Sequence, residues 1–204
     1  MKKLNFIIKY GLALLLLSFY SCESWLNVTP SDRLSEEMLF NDREGFVKAL
    51  NGVYIELNTN ELYGRNLTAG ALDVMGQYYS VASSSHAFYN YGGLVYTGND
   101  EKALFDNMWQ KCYAVIACCN TIIEKCDENK AGLSPVWKGS IKGEALALRA
   151  MLHFDMLRLF GPLTSELDKE SIPYQTNSDQ TVTPLLSGSE VIGLILDDLK
   201  NAVG

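Results

Sequence analysis

Six aromatic residues, Tyr78, Tyr79, Phe88, Tyr89, Tyr91 and Tyr96, fall in a segment dominated by Gly, Ser and Asn. An exposed ring stacks on the apolar face of a sugar, while Tyr and Asn side chains reach its hydroxyls. These residues are therefore the candidate ligand contacts. The competing reading is that several of the tyrosines plug the core.

Other reactive side chains suggest less. Arg149, Asp155 and Arg158 interrupt an apolar run and could clamp a ligand. Buried unpaired charges cost several kcal/mol, so paired charges tying one helix to its neighbours are the better account. His86 and His153 are the only histidines, and neither has Cys, Asp or Ser at a spacing that suggests a metal site or a catalytic triad. They are expected to be satisfied or exposed. Asp197 and Asp198 would point about 100° apart on a helix, so they cannot flank one scissile bond. Capping or surface solvation suits them better. No catalytic constellation emerges, and no cofactor or metal is expected.

The cysteines are Cys22, Cys112, Cys118, Cys119 and Cys126. Within one helix Cys112, Cys119 and Cys126 share a face, about 10 Å apart at each two-turn step, too far for disulfides. Small apolar core residues are the natural reading. There is no C-x-x-C pair for zinc. A net charge of −7 with no basic cluster excludes a nucleic-acid footprint.

The elements that must position these residues are helical. Asn41 with Glu44 starts a helix carrying Phe46, Val47, Leu50, Val53, Tyr54 and Leu57 at helical spacing. Residues 58–100 read as a long ordered loop region with a short helix near Leu67–Met75, and loops of that length are usually functional. A second long helix spans about Asp100–Cys126, with Leu104, Met108, Val115, Cys119 and Ile122 as its stripe and Trp109 beside it. Ser134-Pro135 caps a third, apolar on most sides through Trp137, Ile141, Ala145, Leu148, Leu152 and Leu159, with Leu146, Met151, Phe154 and Leu157 covering much of the rest. This helix is expected to be buried nearly all round, until Gly161-Pro162 stops it. Ser187 and Glu190 form a capping box for a last helix with Val191, Leu194, Ile195 and Leu199. With no strong strand signal, the fold class is all-α, a tetratricopeptide-like helical array with long irregular loops.

Met1–Ser21 reads as a secretory signal: Lys2, Lys3 and Lys9 precede or flank a short apolar stretch, Tyr10–Phe19, and Ser21 stands directly before Cys22. That arrangement is similar to a bacterial lipobox, which makes Cys22 the candidate lipidation site. An acylated Cys22 would tether the mature chain to a membrane.

Three stretches resemble the SusD/RagB family of outer-membrane nutrient-binding lipoproteins. The first is Cys22 followed by Trp25-Leu26 and Pro30. The second is Leu148-Arg149-Ala150, then Phe154-Asp155, then Arg158-Leu159-Phe160-Gly161. The third is Ile172-Pro173, Thr181-Val182 and the Asp198-Leu199 helix. The resemblance covers the N-terminal part of such a protein, with residues 22–204 as its helical domain and the family's C-terminal part absent. It implies a lipid-anchored protein exposed on the surface of the outer membrane that binds a glycan or other nutrient. It also implies handover of the nutrient to a TonB-dependent SusC-like transporter. The alternative is a helical protein–protein interaction module without its own ligand. A surface hydrolase is the weakest reading.

Overall fold

The computed structural model describes residues 36–179 and 182–203. The leader, Cys22 and Thr181 lie outside the described residues. Three short helices, α1 (Glu36–Leu39), α3 (Ala71–Met75) and α4 (Tyr89–Gly92), accompany four long ones. These are α2 (Arg43–Leu57), α5 (Asn99–Glu128), α6 (Pro135–Phe160) and α7 (Gly188–Val203). Between α6 and α7 lie a 3-10 turn (Thr164–Glu166) and two short strands, β1 (Glu170–Pro173) and β2 (Leu185–Ser187). The strands pair antiparallel, with Glu170 opposite Ser187 and Pro173 opposite Leu185. This ribbon was not expected from the sequence, because strands this short carry no usable periodicity.

Local chemistry sets the helix ends. The α2 cap is Asp42, not Asn41: its carboxylate accepts from the Gly45 N–H at 2.9 Å. Gly45 leaves room for the turn before it, since a Cβ there would lie 1.5 Å from the Leu39 carbonyl oxygen. At the end of α5, Asn129 takes a left-handed φ of 46°. Its side chain accepts from the Leu133 N–H at 2.7 Å and donates to the Leu133 carbonyl at 3.1 Å, which bends the chain into α6. There Ser134 caps, accepting from the Trp137 N–H at 3.4 Å. Gly161 ends α6 in extended backbone, so it is not a left-handed cap. Its Cβ would fall 2.4 Å from the Leu157 oxygen. The Ser187–Glu190 box forms as expected: the Ser187 N–H donates to Glu190 at 2.8 Å, and the Glu190 N–H returns to Ser187 Oγ at 3.3 Å.

Helix α6 runs antiparallel to α5. Lys142 meets Asp127, Arg149 meets Asn120, and the Cys112 thiol faces the Leu152 carbonyl. It also runs antiparallel to α7, where Gly143 lies against Ala202 and Arg149 against Asp198. It is parallel to α2: Arg43 sits 4.6 Å over the Trp137 ring, and the Tyr54 hydroxyl donates to Glu144 at 2.6 Å. One core joins these helices, built on Phe46, Leu50, Met108, Ile116, Leu152 and Met156 among others. Cys112, Cys119 and Cys126 are free thiols inside it, while Cys118 faces outward. Cys118 departs from the expected core role because it lies one residue off the stripe. Burial raises the Cys119 thiol pKa to about 12 and that of Cys126 to about 11, so these thiols are inert.

The expectation that α6 is buried nearly all round is corrected. Trp137, Met151 and Phe154 are exposed, because α5 and α7 cover only part of its circumference. Val47 and Tyr54 on α2 and Leu199 on α7 are exposed for the same reason.

Candidate functional site

The segment between α3 and α5 is held in a defined shape. Gln77 ends α3 with φ 62°, a conformation that costs a non-glycine residue roughly 1 kcal/mol. Its side-chain amide donates to the Gly92 carbonyl at 2.9 Å, closing the loop across its base. Leu94 is also left-handed, at φ 54°. Backbone strain of this kind concentrates at functional segments. The Asn90 amide then donates to Glu101 at 2.7 Å, pinning the loop to the first turn of α5. That hydrogen bond and one from Glu101's own backbone hold the Glu101 carboxyl below the usual carboxylate range.

The structure divides the six aromatic residues. Tyr78, Tyr79 and Tyr89 are 79%, 56% and 42% exposed, whereas Tyr91 is 2% exposed. Tyr91 therefore plugs the core and is unavailable to a ligand. Phe88 and Tyr96 are half-buried, and they anchor the loop. Phe88 stacks edge-on to Tyr91 at 5.8 Å, and Tyr91 and Tyr96 meet Phe105 of α5 at 6.0 and 5.4 Å. Gly76 makes room for the exposed Tyr78 ring, which a Cβ there would approach to 3.1 Å. Three outward tyrosines thus stand on a loop whose other rings are fixed to the scaffold.

The aromatic anchor continues inward. Phe105 touches Phe160, Phe160 touches Trp109, and Trp109 lies 4.8 Å from Tyr113. Tyr113 meets His153, which stacks on Tyr174 at 3.9 Å. Phe105, Trp109 and Tyr113 sit four residues apart on α5, so an i, i+4 aromatic search would have found this stripe.

At its inner end lies a buried polar cluster. Arg149 makes a two-pronged pair with Asp198, both hydrogen bonds at 2.7 Å, and donates to Asn120 at 2.8 Å. Burial opposes the Arg149 charge, but Asp198's hydrogen bonds and charge outweigh it and raise the pKa. The Tyr174 hydroxyl donates to Asp198 at 2.6 Å. His153 Nε2 accepts from the Gln175 N–H at 3.0 Å. Its Nδ1 must then carry the proton and donate to the Arg149 carbonyl at 3.0 Å. Burial, helped by the Arg149 charge, lowers the His153 pKa to about 4. Asn120 donates to the Gln175 and Asn177 carbonyls, and Glu124 accepts from Ser178. The whole cluster straps the 174–178 segment onto α5 and α6.

Every polar group named in that cluster is spent on the protein itself, so Arg149 is scaffold. Asp155 likewise binds the Tyr63 hydroxyl and the exposed Arg158. Asp198, expected at the surface, is buried as the partner of Arg149, because α7 turns that position onto α6. Asp197 is exposed and pairs with Lys200. His86 is exposed and accepts from the Phe88 N–H. Among the described residues no group of three or more His, Cys, Asp or Glu side chains could hold a metal ion. None of their helices is long and apolar enough to cross a membrane.

Comparison with known proteins decides the family. The SusD-like family, described as starch-binding and associating with the outer membrane, matches residues 24–203. The chain belongs to the SusD-like family. SusD-like protein P38 of Formosa agariphila is 27% identical over 199 residues, covering 89% of this chain and 34% of P38. A SusD-like protein of Bacteroides ovatus is 30% identical over 105 residues, half of this chain. A SusD superfamily protein from Bacteroides thetaiotaomicron superposes with a TM-score of 0.62 at 20% identity, over 79% of this chain and 36% of that one. A second, from Bacteroides vulgatus, gives 0.60 at 21% identity, over 80% and 34%. These structures share the helical fold. The SusD-like chain spans about a third of the length of the curated relatives P38 and P2. The family is characterised by binding rather than by a reaction.

Proposed function

We propose that this SusD-like chain contributes part of a glycan-binding surface, displayed at the outer membrane from a lipid on Cys22. The observation that carries the reading is the trio Tyr78, Tyr79 and Tyr89, exposed on a loop that is pinned at Gln77 and Asn90. A loop held in place loses little backbone freedom on binding, and the open tyrosine faces suit the apolar side of a sugar. Affinity would be modest, which suits release of the nutrient to a TonB-dependent SusC-like transporter.

Calorimetric titration of the purified chain against a panel of oligosaccharides tests this directly. Heat release with one glycan class, reduced when Tyr78, Tyr79 or Tyr89 becomes Ala, supports the proposal. A silent panel removes it and favours the interaction-module reading. Acyl-chain labelling of cells producing the protein checks the anchor: Cys22→Ser should abolish the label.

A further inference from the structure

Arg65 stands exposed in the turns between α2 and α3, and its guanidinium is placed by two neighbours. Its Nε donates at 3.1 Å to the side-chain oxygen of Asn66, a residue only 4% exposed. The guanidinium carbon lies 5.8 Å from the centre of the Phe88 ring, within reach of a cation–π contact. Gly70 leaves room for the stem, because a Cβ there would lie 3.0 Å from Arg65 Cγ. With Nε engaged, the edge formed by Nη1 and Nη2 is unspent. Among the described residues no carboxylate pairs with it, whereas Arg149 holds Asp198 and Arg158 holds Asp155.

Phe88 carries a second polar neighbour. The His86 ring centre also lies 5.8 Å from that of Phe88. His86 Nδ1 accepts the Phe88 N–H at 3.1 Å, so the proton of the neutral ring sits on Nε2, which has no partner among the described residues. Both side chains therefore offer donors beside one ring, and the exposed Tyr89 follows that ring directly. A sugar hydroxyl both donates and accepts, so a donor-only pair leaves part of its capacity unmet. An ionised acid group only accepts, and two of its oxygens match the fork of a guanidinium edge.

We propose that Arg65, with His86 beside it, is a subsite for the acid group of an acidic sugar, a carboxylate or a sulfate ester. The inference rests on the glycan-binding reading of the tyrosine loop and deepens it, by naming anionic glycans as the class. Arg65 makes the charge-assisted contact, Asn66 and Phe88 orient its guanidinium, and His86 supplies a further donor. Arg65→Lys is then not a conservative change, because an ammonium keeps the charge and loses the fork.

Calorimetry of the full chain against matched pairs of sugars tests this. The pairs are an oligogalacturonate with its methyl ester, and a sulfated galactan oligosaccharide with its desulfated form. One acidic member is expected to bind, and its uncharged counterpart to bind roughly tenfold more weakly; the pair that responds tells which acid group is read. Arg65→Gln should weaken acidic binding roughly tenfold and Arg65→Lys by less. His86→Ala should weaken it about two- to threefold, while Lys200→Gln, on α7, should leave it unchanged. Arg65 is exposed, so its variants should keep the circular dichroism of the parent. Should Arg65→Gln alter that spectrum, the comparison of charged and uncharged sugars on the parent chain carries the test by itself. Acidic binding indifferent to both Arg65 variants overturns the subsite. Binding of the neutral sugars as tight as that of the acidic ones, or of the neutral ones alone, overturns it and leaves the glycan reading standing. Silence of every sugar overturns both.

Discussion

The cluster around Arg149 and the loop from Gln77 to Tyr96 are both rich in groups that recognise ligands, yet they face opposite ways energetically. At Arg149 the guanidinium, the carboxylate of Asp198, the His153 ring and the Tyr174 hydroxyl satisfy one another in the interior. On the loop, hydrogen bonds fix the backbone and leave three tyrosine faces open. A saturated, buried cluster holds elements together, whereas a pinned loop with unspent surface can hold something else. The aromatic stripe of Phe105, Trp109 and Tyr113 links the two regions, so the loop's rigidity is borrowed from the scaffold.

If that contrast is right, damage to the cluster shows as lost stability and damage to the loop as lost binding. The largest effect is expected from Asp198→Ala, which leaves Arg149 buried without its partner. Urea unfolding should show a loss of about 3–5 kcal/mol. The double variant Arg149→Met, Asp198→Leu should recover much of it, and failure to do so would mean that the hydrogen bonds to Asn120 and Tyr174 matter more than the charge.

A pH effect of similar origin comes next. With a folded pKa near 4 and an unfolded value near 6.5, His153 binds protons more readily in the unfolded chain. Its contribution is therefore complete above about pH 6.5 and fades as pH falls toward 4, by about 3 kcal/mol at most. His153→Gln should lower stability at neutral pH and flatten its fall between pH 6.5 and 4, as read from thermal melts across that range. An unchanged slope would place the titration elsewhere.

Gly143→Ala probes the seam beside the cluster. The added Cβ would lie 2.5 Å from the Ala202 carbonyl oxygen, so α7 must shift, at a cost of about 1–3 kcal/mol. The smallest stability change is expected on the loop: Tyr78→Ala and Tyr79→Ala should stay within about 0.5 kcal/mol of the parent. The same substitutions should weaken glycan binding by about two- to tenfold per ring. A loop variant that melts early while binding normally would reverse the two roles.

Much of the scaffold was legible beforehand because its signals are local. The Ser134-Pro135 start, the Ser187–Glu190 box and the stripe through Met108, Val115, Cys119 and Ile122 depend on neighbours within a turn or two. The cap at Asp42 was misplaced by one residue, since Asn41 and Asp42 both suit the position and only the Gly45 hydrogen bond separates them. The site was less legible. Tyr91 and Tyr89 are two residues apart in the same polar stretch, and only packing, with Tyr91 set between Phe88 and Phe105, makes one buried and the other exposed.

The order of residues by itself determined that the chain is helical, where its long helices run, and that Cys112, Cys119 and Cys126 share an inward face, because hydrogen bonding and periodic burial act over a few residues. Only tertiary packing decided that Asp198 meets Arg149, that Phe154 and Leu196 stay exposed, and which tyrosines keep their faces free. Those outcomes depend on how far one helix covers another, a geometry set by contacts among residues dozens of positions apart.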